Sequence, residues 1–60
     1  MPSDETRRLL KLFGVAVTSL EDAIDGDKPM AEIMKWDHEL ADRTRELLAF
    51  VERLRSRRIA

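Results

Sequence analysis

This chain of 60 residues has a net charge of -1 and no cysteine. Its length allows one domain of marginal stability, and the lack of cysteine excludes disulfide bridges as reinforcement. Charged residues make up 38% of the chain and hydrophobic residues 43%, a balance typical of helical bundles and not of disordered segments. One Trp and two Phe are the only aromatic residues. They are too few to form a platform that stacks single-stranded bases.

The first predicted helix covers residues 4–25. Ser3 is a suitable N-cap, and Asp4 and Glu5 follow it, where the helix dipole favours negative charge. Apolar residues then recur at spacings that alternate between four and three, which is the pattern of a heptad repeat. The positions in this repeat are Leu9, Phe13, Ala16, Leu20 and Ala23. We expect this stripe to pack against a second helix.

A turn is predicted at residues 26–28, because Gly26, acidic residues and Pro29 are typical of a helix end followed by a new start. Asp27 is expected to cap the second helix, with Pro29 in its first turn. That helix is predicted over residues 29–57. Its stripe is Met30, Ile33, Asp37, Leu40, Thr44, Leu47, Val51 and Leu54.

The two stripes face each other if the turn is centred on Gly26 and Asp27. Facing residue numbers then sum to about 53, which places Leu20 against Ile33 and Phe13 against Leu40. Because the turn position and both heptad patterns agree, the sequence predicts an all-α antiparallel helical hairpin that forms a single domain over residues 1–60.

Further apolar residues flank both stripes, which makes each stripe wider than a contact between two helices can cover. The hairpin is also polarised. Residues 16–42 carry eight acids and two lysines, a balance of -6, whereas the remaining residues carry nine bases and four acids, a balance of +5. Two hairpins with turns at opposite ends would set acid against base, so we expect an antiparallel homodimer that forms a four-helix bundle.

The stretch KWDHELAD, residues 35–42, contains the single histidine. His38, Glu39 and Asp42 differ by one residue type from a zinc-protease signature, which requires a second histidine in place of Asp42 and a third ligand from elsewhere. Since the chain has no other histidine and no cysteine, we expect His38 and Asp42 to form a solvated pair on the outer side of the helix. We predict a non-enzymatic protein with no catalytic residue, no metal and no cofactor.

Asp37 and Thr44 are polar residues within the second stripe, and Asp37 is expected opposite the small Ala16. Polar residues at such positions commonly specify register or oligomeric state at a cost in stability. Two other interpretations of Asp37 stay open. The helix could be rotated so that the carboxylate meets solvent, or the carboxylate could await a basic group from a partner.

The favoured function is binding to another protein, as a regulator, adaptor or small subunit. The expected contact surface is apolar and surrounds Trp36, Phe50 and Leu54. Arginines would steer an acidic or amphipathic helical partner towards it. These arginines are Arg53, Arg57 and Arg58.

Nucleic-acid binding is the alternative, because basic residues gather at the open end of the hairpin and could neutralise several phosphates. The architecture resembles that of the plasmid copy-number proteins of the Rop family, in which hairpins pair into an antiparallel four-helix bundle. That resemblance implies RNA binding by residues of helix 1. The candidate nucleic-acid contacts are Arg7, Arg8, Lys11 and Arg55, and the resemblance adds Phe13.

The sequence also predicts a soluble protein of the cytoplasm without a membrane partner. The run LLKLFGVAV is too short for a membrane span and contains Lys11, while Asp4 and Glu5 precede it where a signal peptide would carry positive charge. A chain without cysteine also fits a reducing compartment.

Overall fold

The computed structural model describes residues 3–59 of the chain and the side chains of residues 3–58. Helix α1 spans Asp4–Asp25, and helix α2 spans Met30–Ile59. The two helices pack against each other, so the predicted all-α helical hairpin is confirmed. The Cα atoms extend over 47 × 19 × 12 Å, which means that the hairpin is a single layer one helix thick.

Helix α1 begins as its sequence predicts. The Ser3 side chain accepts a hydrogen bond from the Thr6 backbone N–H at 3.1 Å, and Asp4 and Glu5 occupy the first turn. This cap satisfies one of the N–H groups that lack a partner within the helix.

The turn differs from the prediction. Asp27 does not cap α2 but ends α1, in the left-handed conformation with φ 53°. Its N–H donates to the Ile24 carbonyl at 3.2 Å, and the Lys28 N–H donates to the Ala23 carbonyl at 3.0 Å, which together form a Schellman motif. The carbonyl of Pro29 then accepts the first hydrogen bonds of α2. Asp is among the residues that tolerate this conformation, which explains why Gly26 is not needed for it.

The predicted stripe of α1 is confirmed as its buried side. Leu9, Ala16 and Ala23 are buried, while Phe13 and Leu20 are half-buried. We call the contact between the two helices the seam.

The predicted stripe of α2 needs a correction, because the helix is rotated. Trp36 is half-buried in the seam while Asp37 is exposed, and Phe50 is more buried than Val51. The rotation places an indole and a phenyl ring in the seam and leaves a carboxylate in water, and both changes are favourable. The seam positions of α2 are Ile33, Trp36, Leu40, Arg43, Thr44, Leu47 and Phe50.

The register also differs from the prediction. Buried and half-buried positions of the two helices mirror each other when residue numbers sum to 56 instead of 53. The pairs are Ala23 with Ile33, Leu20 with Trp36, Ala16 with Leu40, and Leu9 with Leu47. An ion pair between Glu5 and Arg53, at 2.8 Å, lies close to this register at the open end of the hairpin. The shift arises because four residues, 26–29, separate the helices, so the turn is longer than expected.

Candidate protein-binding surface

Two faces of the hairpin lie on either side of the seam. Viewed from one end, the two antiparallel helices wind in opposite senses, so a step of one residue along either chain leads to the same face. Positions that follow Leu9, Ala16, Ala23, Ile33, Leu40 and Leu47 therefore share one face, and positions that precede these residues share the other.

We call the first of these the apolar face. It carries long aliphatic and thioether side chains that are exposed by 40–67%. These residues are Leu10, Val17, Ile24, Met30, Met34 and Leu48. Because both helices contribute three of them, the face runs the length of the hairpin.

The opposite side is the charged face, which carries Arg8, Asp22, Glu32, Glu39 and Glu46. A cavity of about 180 Å³ between the helices confirms that residues from both helices meet on this side. Its lining consists of Glu5, Arg8, Leu9, Glu46, Ala49 and Arg53. The one aliphatic residue at the corresponding positions of α1 is Val15.

The hairpin exposes more surface than a folded monomer of its mass. Its accessible surface is 4898 Å², whereas a compact monomer of 7.0 kDa exposes about 4,000 Å². The excess is about 900 Å², close to the roughly 800 Å² that each partner buries in a standard protein interface. In other proteins, large exposed apolar patches often occur at interaction sites.

Asp37 and Thr44, the predicted register residues, border the apolar face on α2. Asp37 is exposed and stands between Met34 and Ala41 in the helical pattern. Thr44 is half-buried, and its hydroxyl donates to the Leu40 carbonyl at 2.8 Å, so its polar group is already satisfied within its own helix. Of these two residues, only Asp37 would therefore need a polar partner if its side chain were covered.

The contact surface predicted around Trp36, Phe50 and Leu54 needs a correction, because Trp36 and Phe50 lie in the seam. Phe50 is only 7% exposed and Trp36 is half-buried, so the two rings offer little free surface to a partner while the hairpin is folded. Lys35 Nζ lies 4.9 Å from the centroid of the Trp36 ring and covers part of what remains. Leu54 is 38% exposed and is the member of the trio that solvent reaches.

The three steering arginines are all exposed at the open end. Arg53 lies over the Phe50 ring, at 5.5 Å from its centroid, and also pairs with Glu5. Arg57 shares with Arg53 a cavity of about 540 Å³. The lining of this cavity is Ser3, Glu5, Phe50, Arg53, Ser56 and Arg57. Arg58 is not among these residues, so the structure brings together two of the three arginines.

The candidate nucleic-acid contacts do not form one patch. Arg7 and Lys11 lie on the outer side of α1, away from the seam, whereas Arg8 belongs to the charged face. Arg55 lies on the side of the apolar face and pairs with Glu52 at 2.8 Å. All four are exposed, but they point in at least three directions.

Arg43 forms a charged cluster at the edge of the seam. Its Nε lies 3.0 Å from Glu39 Oε1, and its Nη1 lies 2.6 Å from Glu46 Oε1. Arg43 Nε and Glu46 Oε1 are both buried. Each lies within ion-pair distance of its partner atom, but neither contact has the angles of a hydrogen bond. We therefore treat the cluster as an electrostatic contact that places Arg43 across the edge of the seam.

The stretch KWDHELAD offers no assembled site. His38 is exposed, and Asp42 pairs with Arg45 instead of the expected His38. Among residues 3–59, no group of three or more His, Cys, Asp or Glu side chains is placed to hold a metal ion. Glu39 is engaged by Arg43.

The sequence signal for the apolar face was the wide hydrophobic stripe on each helix. The prediction centres on Trp36 and Phe50 because they are larger than Met30, Met34 and Leu48, which lie on the apolar face. A second heptad series displaced by one residue from the first would have identified the face.

Neither helix in the described part of the chain is both long and apolar enough to cross a lipid bilayer. We find no match for this chain among protein-family models, curated proteins or solved structures.

Proposed function

We propose that this chain is a non-enzymatic interaction protein that first associates with itself and then binds another protein. The apolar faces of two hairpins pack together and form a homodimeric four-helix bundle. The observation that carries this proposal is the row of six exposed apolar side chains on a structure one helix thick. Stable domains bury such faces between at least two layers.

Charge supports a dimer with turns at opposite ends. The turn half of the hairpin, residues 16–42, has a balance of -6, and the open half has a balance of +5. Side-by-side packing in this orientation sets the acidic half of each copy against the basic half of the other. The reverse orientation would bring two acidic halves together.

The second step of the proposal uses what the dimer leaves exposed. The charged face and the open end remain accessible, and Arg57 and Arg58 lie there in the last turn of α2. A cationic helix end suits an acidic protein surface. This is the class of partner that we propose for the assembled bundle.

Self-association can be tested with two lysine substitutions on α1. Leu10 is 54% exposed on the apolar face, and Val15 is 50% exposed on the charged face. Leu10→Lys should weaken dimer formation at least a hundredfold, because the ammonium group must be desolvated in the interface. Val15→Lys has the same charge change and nearly the same exposure, so it should leave the dimer intact. Sedimentation equilibrium measures both dissociation constants.

A second measurement covers the case in which Leu10→Lys does not fold. The melting temperature of the wild-type chain should rise with protein concentration, because a dimer is stabilised by mass action. A wild-type monomer at 100 μM with a melting temperature independent of concentration would refute the proposal.

The alternative Rop-like function remains a prediction. The scattered directions of Arg7, Arg8, Lys11 and Arg55 favour the protein-binding proposal over it. Affinity for a folded RNA that falls at least a hundredfold between 50 and 200 mM salt, at constant dimer content, would instead support the alternative.

A further inference from the structure

We propose that the two copies meet with like helix on like helix, about a two-fold axis that passes beside Phe13 of α1 and between Ala41 and Thr44 of α2. Each α1 would then run antiparallel to the partner's α1, and each α2 antiparallel to the partner's α2. This inference rests on the proposed self-association with turns at opposite ends, and it adds the pairing of like helices, the register and a residue that discriminates between orientations.

The first support is the heptad pattern of the apolar face, which continues through both helices with alternating spacings of three and four. On α1 the series is Ser3, Thr6, Leu10, Phe13, Val17, Leu20 and Ile24. On α2 the series is Met30, Met34, Asp37, Ala41, Thr44, Leu48, Val51 and Arg55. The spacings of each series alternate between three and four in both chain directions. An antiparallel contact between two identical helices requires this, because each helix meets the other in reverse order.

The second support is that the two series are centred at the same height. The α1 series has its midpoint between residues 13 and 14, and the α2 series has its midpoint between residues 42 and 43. Residues at the same height have numbers that sum to 56, and these midpoints meet that condition. One two-fold axis can therefore bring both helices onto their counterparts at once.

The third support is the position of the charge boundary. On α2 the acidic half ends at Asp42 and the basic half begins at Arg43, which is where the axis crosses the helix. Rotation about this axis places acidic residues 30–42 against the partner's basic residues 43–55. The midpoints of the two series and the charge boundary on α2 thus indicate the same centre.

Asp37 is the residue that discriminates between orientations. It is exposed in the hairpin and is the one acid in the α2 series. With turns at opposite ends, it lies beside the partner's Leu48, within the basic half. With turns together, it would lie over the partner's α1 at the height of Ser19, within the acidic half that contains Glu21 and Asp22, so charges of like sign would be brought together.

The orientation can be measured with spin labels, because the chain has no native cysteine. Lys28→Cys labels the exposed turn, and Arg45→Cys labels an exposed position near the proposed axis. In the proposed dimer, the two turn labels are separated by the length of 29 helical residues, which is about 43 Å. With turns together, neighbouring helices would hold them within about 20 Å. The Arg45 labels should be close in the proposed arrangement, in which they lie near the axis.

Each outcome has one meaning. A long turn-to-turn distance together with a short Arg45 distance supports the orientation. A short or bimodal turn-to-turn distance overturns the orientation and leaves self-association standing, because the turn labels themselves then report a dimer. The absence of a dipolar signal from both labels, with melting independent of concentration, refutes self-association and this inference with it.

Discussion

The seam and the apolar face are two stripes of similar length on the same helices, yet they are built from different side chains. On α1 the buried seam residues are Leu9 and the small Ala16 and Ala23, and Phe50 of α2 is the one other buried residue among residues 3–58. One position further along the chain, larger side chains such as Leu10 and Leu48 are more than half exposed. The seam therefore sets the shape of the hairpin but buries little apolar area. The apolar face holds the area from which a two-layer structure would draw its stability.

The largest expected effect is in the seam, at its one buried aromatic residue. Phe50→Ala should destabilise the hairpin by about 3–5 kcal/mol, because it removes a ring from a site that is 7% exposed. A chain of this size has little more stability than that in total. The helical circular-dichroism signal at 222 nm should therefore be lost at room temperature.

Leu54→Ala provides the control for Phe50, because Leu54 lies four residues further along α2 and is 38% exposed. It should reduce the melting temperature only slightly. If Phe50→Ala instead kept the wild-type melting temperature and lost affinity for a protein partner, the ring would belong to a binding surface after all.

A substitution of Asp37 tests whether the apolar face forms the dimer interface. Asp37→Leu should tighten the dimer about tenfold, which is about 1.4 kcal/mol, because a carboxylate no longer has to be desolvated beside the partner's Leu48. The same change should add a short component to the distance between turn labels, since the charge that opposes the turns-together orientation is gone. Sedimentation equilibrium and the spin-label distances measure the two effects.

Asp42→Leu removes the same charge from the outer side of α2, where Asp42 pairs with Arg45. It should leave the dimer constant within twofold. Equal tightening by both variants would mean that net charge, and not the position of Asp37, governs association.

Much of the hairpin could be predicted from residues whose effect is local. Ser3 caps α1 because its hydroxyl reaches a nearby N–H, and the seam of α1 follows from heptad spacing alone. The rotation of α2 could not be predicted, since both Asp37 and Trp36 lie close to a heptad position and only packing against α1 chooses between them. The register depended on the turn, where Asp27 ends α1 in the left-handed conformation instead of capping α2. These choices depend on contacts between helices, which the pattern within one helix does not contain.

A substitution of Gly14 tests whether the outer side of α1, which belongs neither to the seam nor to the apolar face, takes part in the dimer interface. A Cβ added there would meet nothing within 4 Å, so the hairpin does not require a glycine at this position. Gly14→Ala should stabilise the chain by about 0.5–1 kcal/mol, because alanine restricts the unfolded backbone and favours a helix. The melting temperature should rise at every protein concentration while the dimer constant stays unchanged. A weaker dimer in Gly14→Ala would show that the outer side of α1 takes part in the interface.

The smallest stabilisation is expected at the turn, which aligns the seam and the apolar face by fixing the register. Asp27 has φ 53°, a conformation that glycine adopts without the steric penalty of a Cβ. Asp27→Gly should stabilise the hairpin by about 0.5 kcal/mol, less than the full steric penalty because glycine also loses more backbone entropy on folding. Asp27→Val should destabilise it by about 1–2 kcal/mol, since a β-branched side chain is poorly accommodated there. Thermal melts of the two variants at one protein concentration give the comparison. Identical melting temperatures would mean that the left-handed residue does not control the turn, and the register would then have to be set by the seam itself.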